Sequence, residues 1–224
     1  STNRWEIKAK NIIQFDIVPE NIGRHYPVAV GVVGDAKASV DKLNKKLKAE
    51  SYMADASYKN YIFAKKEEWA KNLFQGAIVD TEATPVPPIA LHIELQKVLR
   101  ENGIFVVDAG NPGAWTHITK FPKGTTYMKP VNYGNMGFAL GASLGCKEAC
   151  PDREVVALLG DGSLGMTLGD LETIGREGLP IIVLVVNDSA FGNIRQEELF
   201  KMGDGRYIGV DFPNIDYVNV AKEL

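Results

Sequence analysis

Val155-Val156-Ala157-Leu158-Leu159-Gly160-Asp161-Gly162-Ser163 and, beginning 18 residues after Ser163, Ile181-Ile182-Val183-Leu184-Val185-Val186-Asn187-Asp188 decide the fold of this chain. Each stretch is an apolar run of strand length that ends in side chains bearing hard oxygens. Between them Leu164, Leu168, Leu171 and Ile174 fall at helical spacing, so a strand–helix–strand unit is expected. Two parallel strands joined by a right-handed crossover bring Asp161 and Asn187 out side by side at one edge of the sheet. The glycines around Asp161 permit close approach of a ligand. The start of the following helix presents unpaired N–H groups to an anion. Asp161 and Asn187 offer the oxygen ligands that Mg²⁺ takes alongside phosphate.

The pattern extends outward in both directions. Upstream, 138–149 reads as a small-residue helix, 104–107 as a strand ending in Asp108-Ala109-Gly110-Asn111-Pro112-Gly113, and 89–101 as an amphipathic helix. Downstream, 214–224 reads as a helix. Alternation of this kind implies an α/β fold, a parallel sheet with helices on both faces. Further toward the N-terminus, 11–18 and 28–33 read as strands, with Pro19 opening a turn or short helix. Asp35 caps a helix through Ala49, and 51–75 is helical and aromatic. The proline-rich stretch 81–88 reads as a semi-rigid linker. The expected organisation is a partial α/β domain at 1–80, the linker at 81–88 and the main domain at 89–224. The first 50 residues hold too few elements for a core of their own. The 214–224 helix ends where another strand is expected, so the chain reads as a piece of a longer one.

Composition narrows the function classes. The 224 residues are 45% apolar and 24% charged, with a net charge of −3 and mixed signs, which gives no nucleic-acid footprint. No apolar run approaches a membrane span, and no signal peptide is visible at Ser1. Cys146 and Cys150 share a helix face without further ligands at metal spacing. They read as small buried thiols of a reduced, cytoplasmic protein rather than as a redox or zinc pair.

The Gly-Asp-Gly…Asn pattern resembles the signature of thiamine-diphosphate-dependent enzymes. Tyr133-Gly134-Asn135-Met136-Gly137-Phe138-Ala139-Leu140-Gly141-Ala142 resembles the segment that precedes it in the acetolactate synthase, benzoylformate decarboxylase and pyruvate oxidase group. Ile194-Arg195-Gln196, Glu198-Leu199-Phe200, Gly205-Arg206-Tyr207 and Asp216-Tyr217-Val218 run close to the acetolactate synthase pattern, and Ile12–Lys37 resembles the end of that group's central domain. The similarity is weakest across 51–86.

The resemblance implies roles residue by residue. Asp161 and Asn187 would ligate Mg²⁺ by side chain and Ser189 by its backbone carbonyl. Gly160, Gly162 and Ser163 would lie at the diphosphate, with Ala109, Gly110 and Asn111 as a second phosphate-facing loop. Met136 would support the bent cofactor from below, and the Gly134 carbonyl would accept a hydrogen bond from its amino group. The chemistry implied is decarboxylation of a 2-oxo acid, with or without carboligation, carried by thiamine diphosphate. The activating glutamate belongs to the family's pyrimidine-binding domain, expected from a partner subunit of a homodimer or homotetramer. No segment here matches it, so no catalytic residue is assigned within the chain. Glu94, Glu172, Glu177, Glu197 and Glu198 read as solvated helix-face charges. Binding of FAD stays open.

Two departures bear on substrate. Glu197 follows Gln196 where acetolactate synthases carry a tryptophan, with Asn193 replacing an apolar residue. Asp188 stands where the family often has a second Asn or Gly, a tolerant position. Acetolactate synthesis and a related decarboxylase, lyase or oxidase both stay open, as does a non-catalytic module that keeps the fold. A dinucleotide oxidoreductase fails on its own motif, since neither Gly31–Gly34 nor Gly110–Gly113 fits Gly-x-Gly-x-x-Gly.

Overall fold

The β-branched runs near the N-terminus pair with each other. In the computed structural model, which describes residues 7, 9–53, 55–74, 80–203 and 205–224, β1 (Ile13–Asp16) and β2 (Val30–Val33) form a two-stranded parallel sheet with Ile13 opposite Val30. A single 3₁₀ turn at Pro19–Asn21 follows β1. α1 (Ala36–Ala49) begins where expected, because the Asp35 carboxylate accepts the Ala38 N–H at 2.8 Å. α2 spans Ala56–Phe74. The chain separates into two compact units, 1–72 and 73–224. No described residue of the first unit is buried, and Ile13, Val30, Val33 and Val40 are exposed. Two strands and two helices do not close a core among the described residues of this unit, in keeping with the small element count.

The second unit carries the larger sheet. α3 (Pro88–Val98) starts at the last proline of the expected linker and stops before the expected Glu101. Leu99 is already extended, and Asn102 adopts positive φ (57°) in the turn that feeds the next strand. β3 (Ile104–Val107), α4 (Asn111–Trp115) and β4 (Thr126–Met128) come next. α5 (Phe138–Ala149) and β5 (Val155–Gly160) follow. The crossover expected as one helix is two, α6 (Asp161–Met166) and α7 (Gly169–Arg176), interrupted at Thr167–Leu168. β6 (Ile181–Val186), α8 (Gly192–Met202) and α9 (Tyr217–Glu223) complete the order. α9 begins at Tyr217 rather than Asn214, because Asp216 caps it through the Asn219 N–H at 3.0 Å.

The strands run parallel in the order β4-β3-β5-β6. Period-two alternation sorts their side chains onto two faces. Ile104, Val106, Val155, Ala157 and Leu159 face one core with Leu140 and Leu164, against which Leu168, Leu171 and Ile174 pack. The apolar face expected of the crossover therefore survives the break in its helix. Phe105, Val107, Val156 and Leu158 face the other core with Leu95. Phe105 packs there on Phe121 at a centroid distance of 5.1 Å. Both faces are covered, as the α/β reading requires.

One polar member of the α3 layer is buried with the core. His92 is 1% exposed, and its Nδ1 lies 2.8 Å from Thr119 Oγ1. Burial, then the nearby charge of His117, holds its pKa down to about 4. A histidine that is neutral when folded but titrates near 6.5 when unfolded stabilises the fold above that pH. The contribution is lost as pH falls from 6.5 through 4. Between pH 7 and pH 4.5 the wild-type protein should lose about 2–3 kcal/mol more stability than His92→Gln, by urea denaturation. Parallel losses in the two proteins would contradict this.

The two cysteines are half-buried and free. Cys146 Sγ packs 3.3 Å from Met128 Sδ, and burial, then Cys150, pushes its thiol pKa up. Among the described residues no helix is long and apolar enough to cross a membrane.

Candidate functional site

Because all four strands are parallel, their carboxyl ends share one edge. From β3 the chain moves outward to β4, and from β5 it moves outward to β6 in the opposite direction. A crevice forms where such connections diverge, between the ends of β3 and β5, and open α/β sheets bind ligands there. A cavity of about 250 Å³ lies at that point.

Four segments line it. After β3 come Ala109, Gly110, Asn111 and Pro112; from the loop before α5 come Gly134 and Met136. Gly160, Asp161, Gly162 and Ser163 join β5 to α6, and Asp188, Ala190, Phe191 and Gly192 follow β6. Gly110 has φ 93°, a left-handed conformation that any side chain would strain. Gly162 is forced by crowding: a Cβ there would lie 2.8 Å from two ring carbons of Phe191 and 3.3 Å from Met136 Cε. Phe191 is itself braced edge-on by Phe212, with centroids 4.5 Å apart.

The structure brings Ala109, Gly110, Asn111, Gly134, Met136, Gly160, Asp161, Gly162 and Ser163 together around this cavity. It does not bring Asn187 and Ser189 into it. The register pairs Gly160 with Val186, so Asp161 and Asn187 do emerge next to each other. The Asn187 side chain, however, lines a neighbouring cavity with Leu164, Val185 and Ile215. Its Nδ2 donates to the Ile215 carbonyl at 3.3 Å, and its Oδ1 accepts the Ser189 N–H at 3.1 Å. The Ser189 carbonyl accepts the Phe212 N–H at 2.7 Å, within an antiparallel bridge between Ala190 and Asp211. The next residues in the chain, Asp188 and Ala190, take the places at the cavity that sequence reading gave to Asn187 and Ser189.

Asp161 is 2% exposed, and its Oδ1 accepts the Gly162 N–H at 3.0 Å. Burial pushes its carboxyl pKa up; the Gly162 N–H opposes this, and the charge of Asp188 adds to the rise. Asp188 reaches over Gly192, where an added Cβ would lie 2.3 Å from its Oδ2. Two carboxylates thus face one cavity, and no Lys or Arg is among the described residues lining it. Such a pair calls for a cation.

Asp108 is the residue that sequence reading passed over. It is fully buried at the end of β3, and its carboxylate accepts hydrogen bonds from Ala109, Gly137, Ala139 and Ser163. An acid closing an all-apolar strand was the available signal. Asp188 carried a signal too, as an acid directly after Asn187. Four of the five glutamates read as solvated form ion pairs at the surface, and the fifth, Glu198, departs from that reading. Glu94 meets Lys97, Glu172 and Glu177 meet Arg176, and Glu197 meets Lys201. Glu198 is half-buried and accepts the Ile208 N–H at 3.1 Å.

Residues 108–224, which carry the whole cavity, match the family described as thiamine pyrophosphate enzyme, C-terminal TPP binding domain. The chain belongs to the thiamine pyrophosphate enzymes. It is 31% identical to a sulfoacetaldehyde acetyltransferase of Roseovarius nubinhibens, a match covering 97% of this chain and 39% of that protein. It is 30% identical to the acetolactate synthase large subunit of Corynebacterium glutamicum, over 95% of this chain and 34% of the relative. It is also 27% identical to the putative thiamine pyrophosphate-containing protein YdaP of Bacillus subtilis, over 94% and 36%. The chain therefore spans under two-fifths of the length of these members of the family.

Proposed function

We propose that this chain supplies the diphosphate- and metal-holding half of a thiamine-diphosphate-dependent active site that cleaves a 2-oxo acid, with or without transfer of the product to an acceptor. The observation that supports this best is the carboxylate pair, Asp161 and Asp188, facing a cavity with no basic side chain among its described lining residues. A diphosphate and two carboxylates repel one another unless a divalent cation lies between them. Oxygen ligands of this kind suit Mg²⁺. The metal set we propose is the side chains of Asp161 and Asp188 with the backbone of Ala190, in place of Asn187 and Ser189.

When bound, thiamine diphosphate supplies a carbon nucleophile and an electron sink for breaking the bond next to a carbonyl. The chain's own residues hold and shield it. Gly110, Asn111, Gly162 and Ser163 offer backbone at the phosphate end, while Met136 and Phe191 form an apolar wall that excludes water. The cofactor's other end, and the glutamate that activates it, we assign to a pyrimidine-binding domain of a partner subunit in a homodimer or homotetramer. A second substrate class, sulfoacetaldehyde, is favoured by the relatives named for it. Glu197, where acetolactate synthases carry tryptophan, counts against acetolactate synthesis without choosing among the other substrates.

Calorimetry of the purified protein tests the metal reading. Thiamine diphosphate should bind in Mg²⁺ and lose nearly all affinity in EDTA; equal binding in EDTA would overturn it. Consumption of pyruvate, other 2-oxo acids and sulfoacetaldehyde by the protein together with its pyrimidine-binding domain then assigns the substrate.

A further inference from the structure

The carboxylate of Asp108 touches three of the four segments that build the cavity. Its Oδ1 accepts the Ala109 N–H at 2.8 Å, the Gly137 N–H at 3.1 Å and the Ser163 hydroxyl at 3.0 Å. Its Oδ2 accepts the Ala139 N–H at 2.7 Å. The side chain is 0% exposed. All four contacts are donors to carboxylate oxygens, and an amide in its place would turn an N–H toward one of them. A buried carboxylate is costly unless it is hydrogen-bonded in this way.

We propose that Asp108 is a positioning residue that sets the phosphate-binding loops of the site, without itself touching cofactor. The inference rests on reading this cavity as the diphosphate site. The geometry gives it three consequences. The Ser163 hydroxyl proton is committed to Asp108, so Ser163 meets a phosphate through its backbone N–H. The turn at Gly137, between Met136 and α5, is tied to the loop after β3, so Met136 and Gly110 keep one spacing. The Gly160–Ser163 segment is held at a fixed depth relative to both. Packing alone would fix the backbone of each segment, yet not their mutual register at the anion.

The test compares wild type, Asp108→Asn, Ser163→Ala and the core variant Val106→Ala. The probes are thiamine diphosphate with Mg²⁺, read by calorimetry, and amide hydrogen exchange of the ligand-free protein. In Asp108→Asn the amide nitrogen must face one of the present donors. Its Kd for the cofactor should rise at least about tenfold, the cost of one lost charge-assisted hydrogen bond. Exchange should accelerate together at Ala109, Gly137 and Ala139. Val106→Ala loses comparable stability but should leave the Kd unchanged.

Asp108→Asn may be compared only if it folds, so Ser163→Ala carries the test independently. It removes one donor at the surface of the cavity, and exchange at Gly137, which Ser163 does not touch, should accelerate several-fold. Unchanged exchange at Gly137 in Ser163→Ala overturns the proposal, as does an unchanged Kd in a folded Asp108→Asn. Failure of the wild-type protein to bind thiamine diphosphate is a separate result: it overturns the reading of the cavity on which the proposal rests.

Discussion

Asp161→Ala is expected to raise the Kd for thiamine diphosphate in Mg²⁺ by at least about a hundredfold, roughly 3 kcal/mol. The carboxylate lies 2% exposed at the start of α6, held by the Gly162 N–H, and it points to the same cavity as Asp188. Alanine leaves one carboxylate and an ill-neutralised diphosphate. Neighbouring positions separate the two metal assignments. Asp188→Ala should cost affinity on the same scale. Asn187→Ala should change the Kd by no more than a few-fold, because that side chain is turned toward Ile215 and Ser189. A strong loss in Asn187→Ala with a silent Asp188→Ala would restore Asn187 as the ligand. Calorimetry at fixed Mg²⁺ reads all three.

Gly162→Ala should weaken cofactor binding by about tenfold or more while the protein stays folded. The new methyl would sit 2.8 Å from Cδ1 and Cε1 of Phe191. That ring cannot simply retreat, since Phe212 meets it at 88° with centroids 4.5 Å apart. Overpacking of this kind costs about 1–3 kcal/mol, and relief by moving the ring fills space in the cavity. Phe191→Leu in the Gly162→Ala background should recover part of the affinity. Unchanged cofactor affinity in Gly162→Ala would show that Phe191 and Met136 do not wall the binding site.

The α/β reading was legible because the central strands β3 and β5 are buried on both faces. Continuous runs such as Val155–Leu159 occur where neither face meets water, and helical spacing in Leu164, Leu168, Leu171 and Ile174 marked what covers one of them. The break at Thr167–Leu168 was hidden, because the same four residues reach the core whether the helix is one or two. β4 was missed: three residues with an exposed start carry little pattern. At the site, the spacing of the two strands put Asp161 at the cavity and named Asn187 where its neighbour Asp188 lines it. What it could not give was which way Asn187 and Asp188 turn, since that depends on the bridge from Ala190 to Asp211 and on the Ile215 carbonyl. The role of Asp108 stayed hidden, although its place at the end of an apolar strand was a signal, because its donors come from residues up to 55 positions away.

The bridge between Ala190 and Asp211 also divides the site along the covalent chain. Every described residue lining the cavity lies between Ala109 and Ile194. The segment that steadies the loop after β6 lies beyond: the Val210 carbonyl accepts the Phe191 N–H at 2.8 Å, and Phe212 braces the Phe191 ring. Arg195 reaches across as well, stacking 4.4 Å over Tyr207 and pairing with Asp211 at 3.3 Å. A single proteolytic cut after Arg206 leaves the whole cavity lining on one piece and its outer brace on the other.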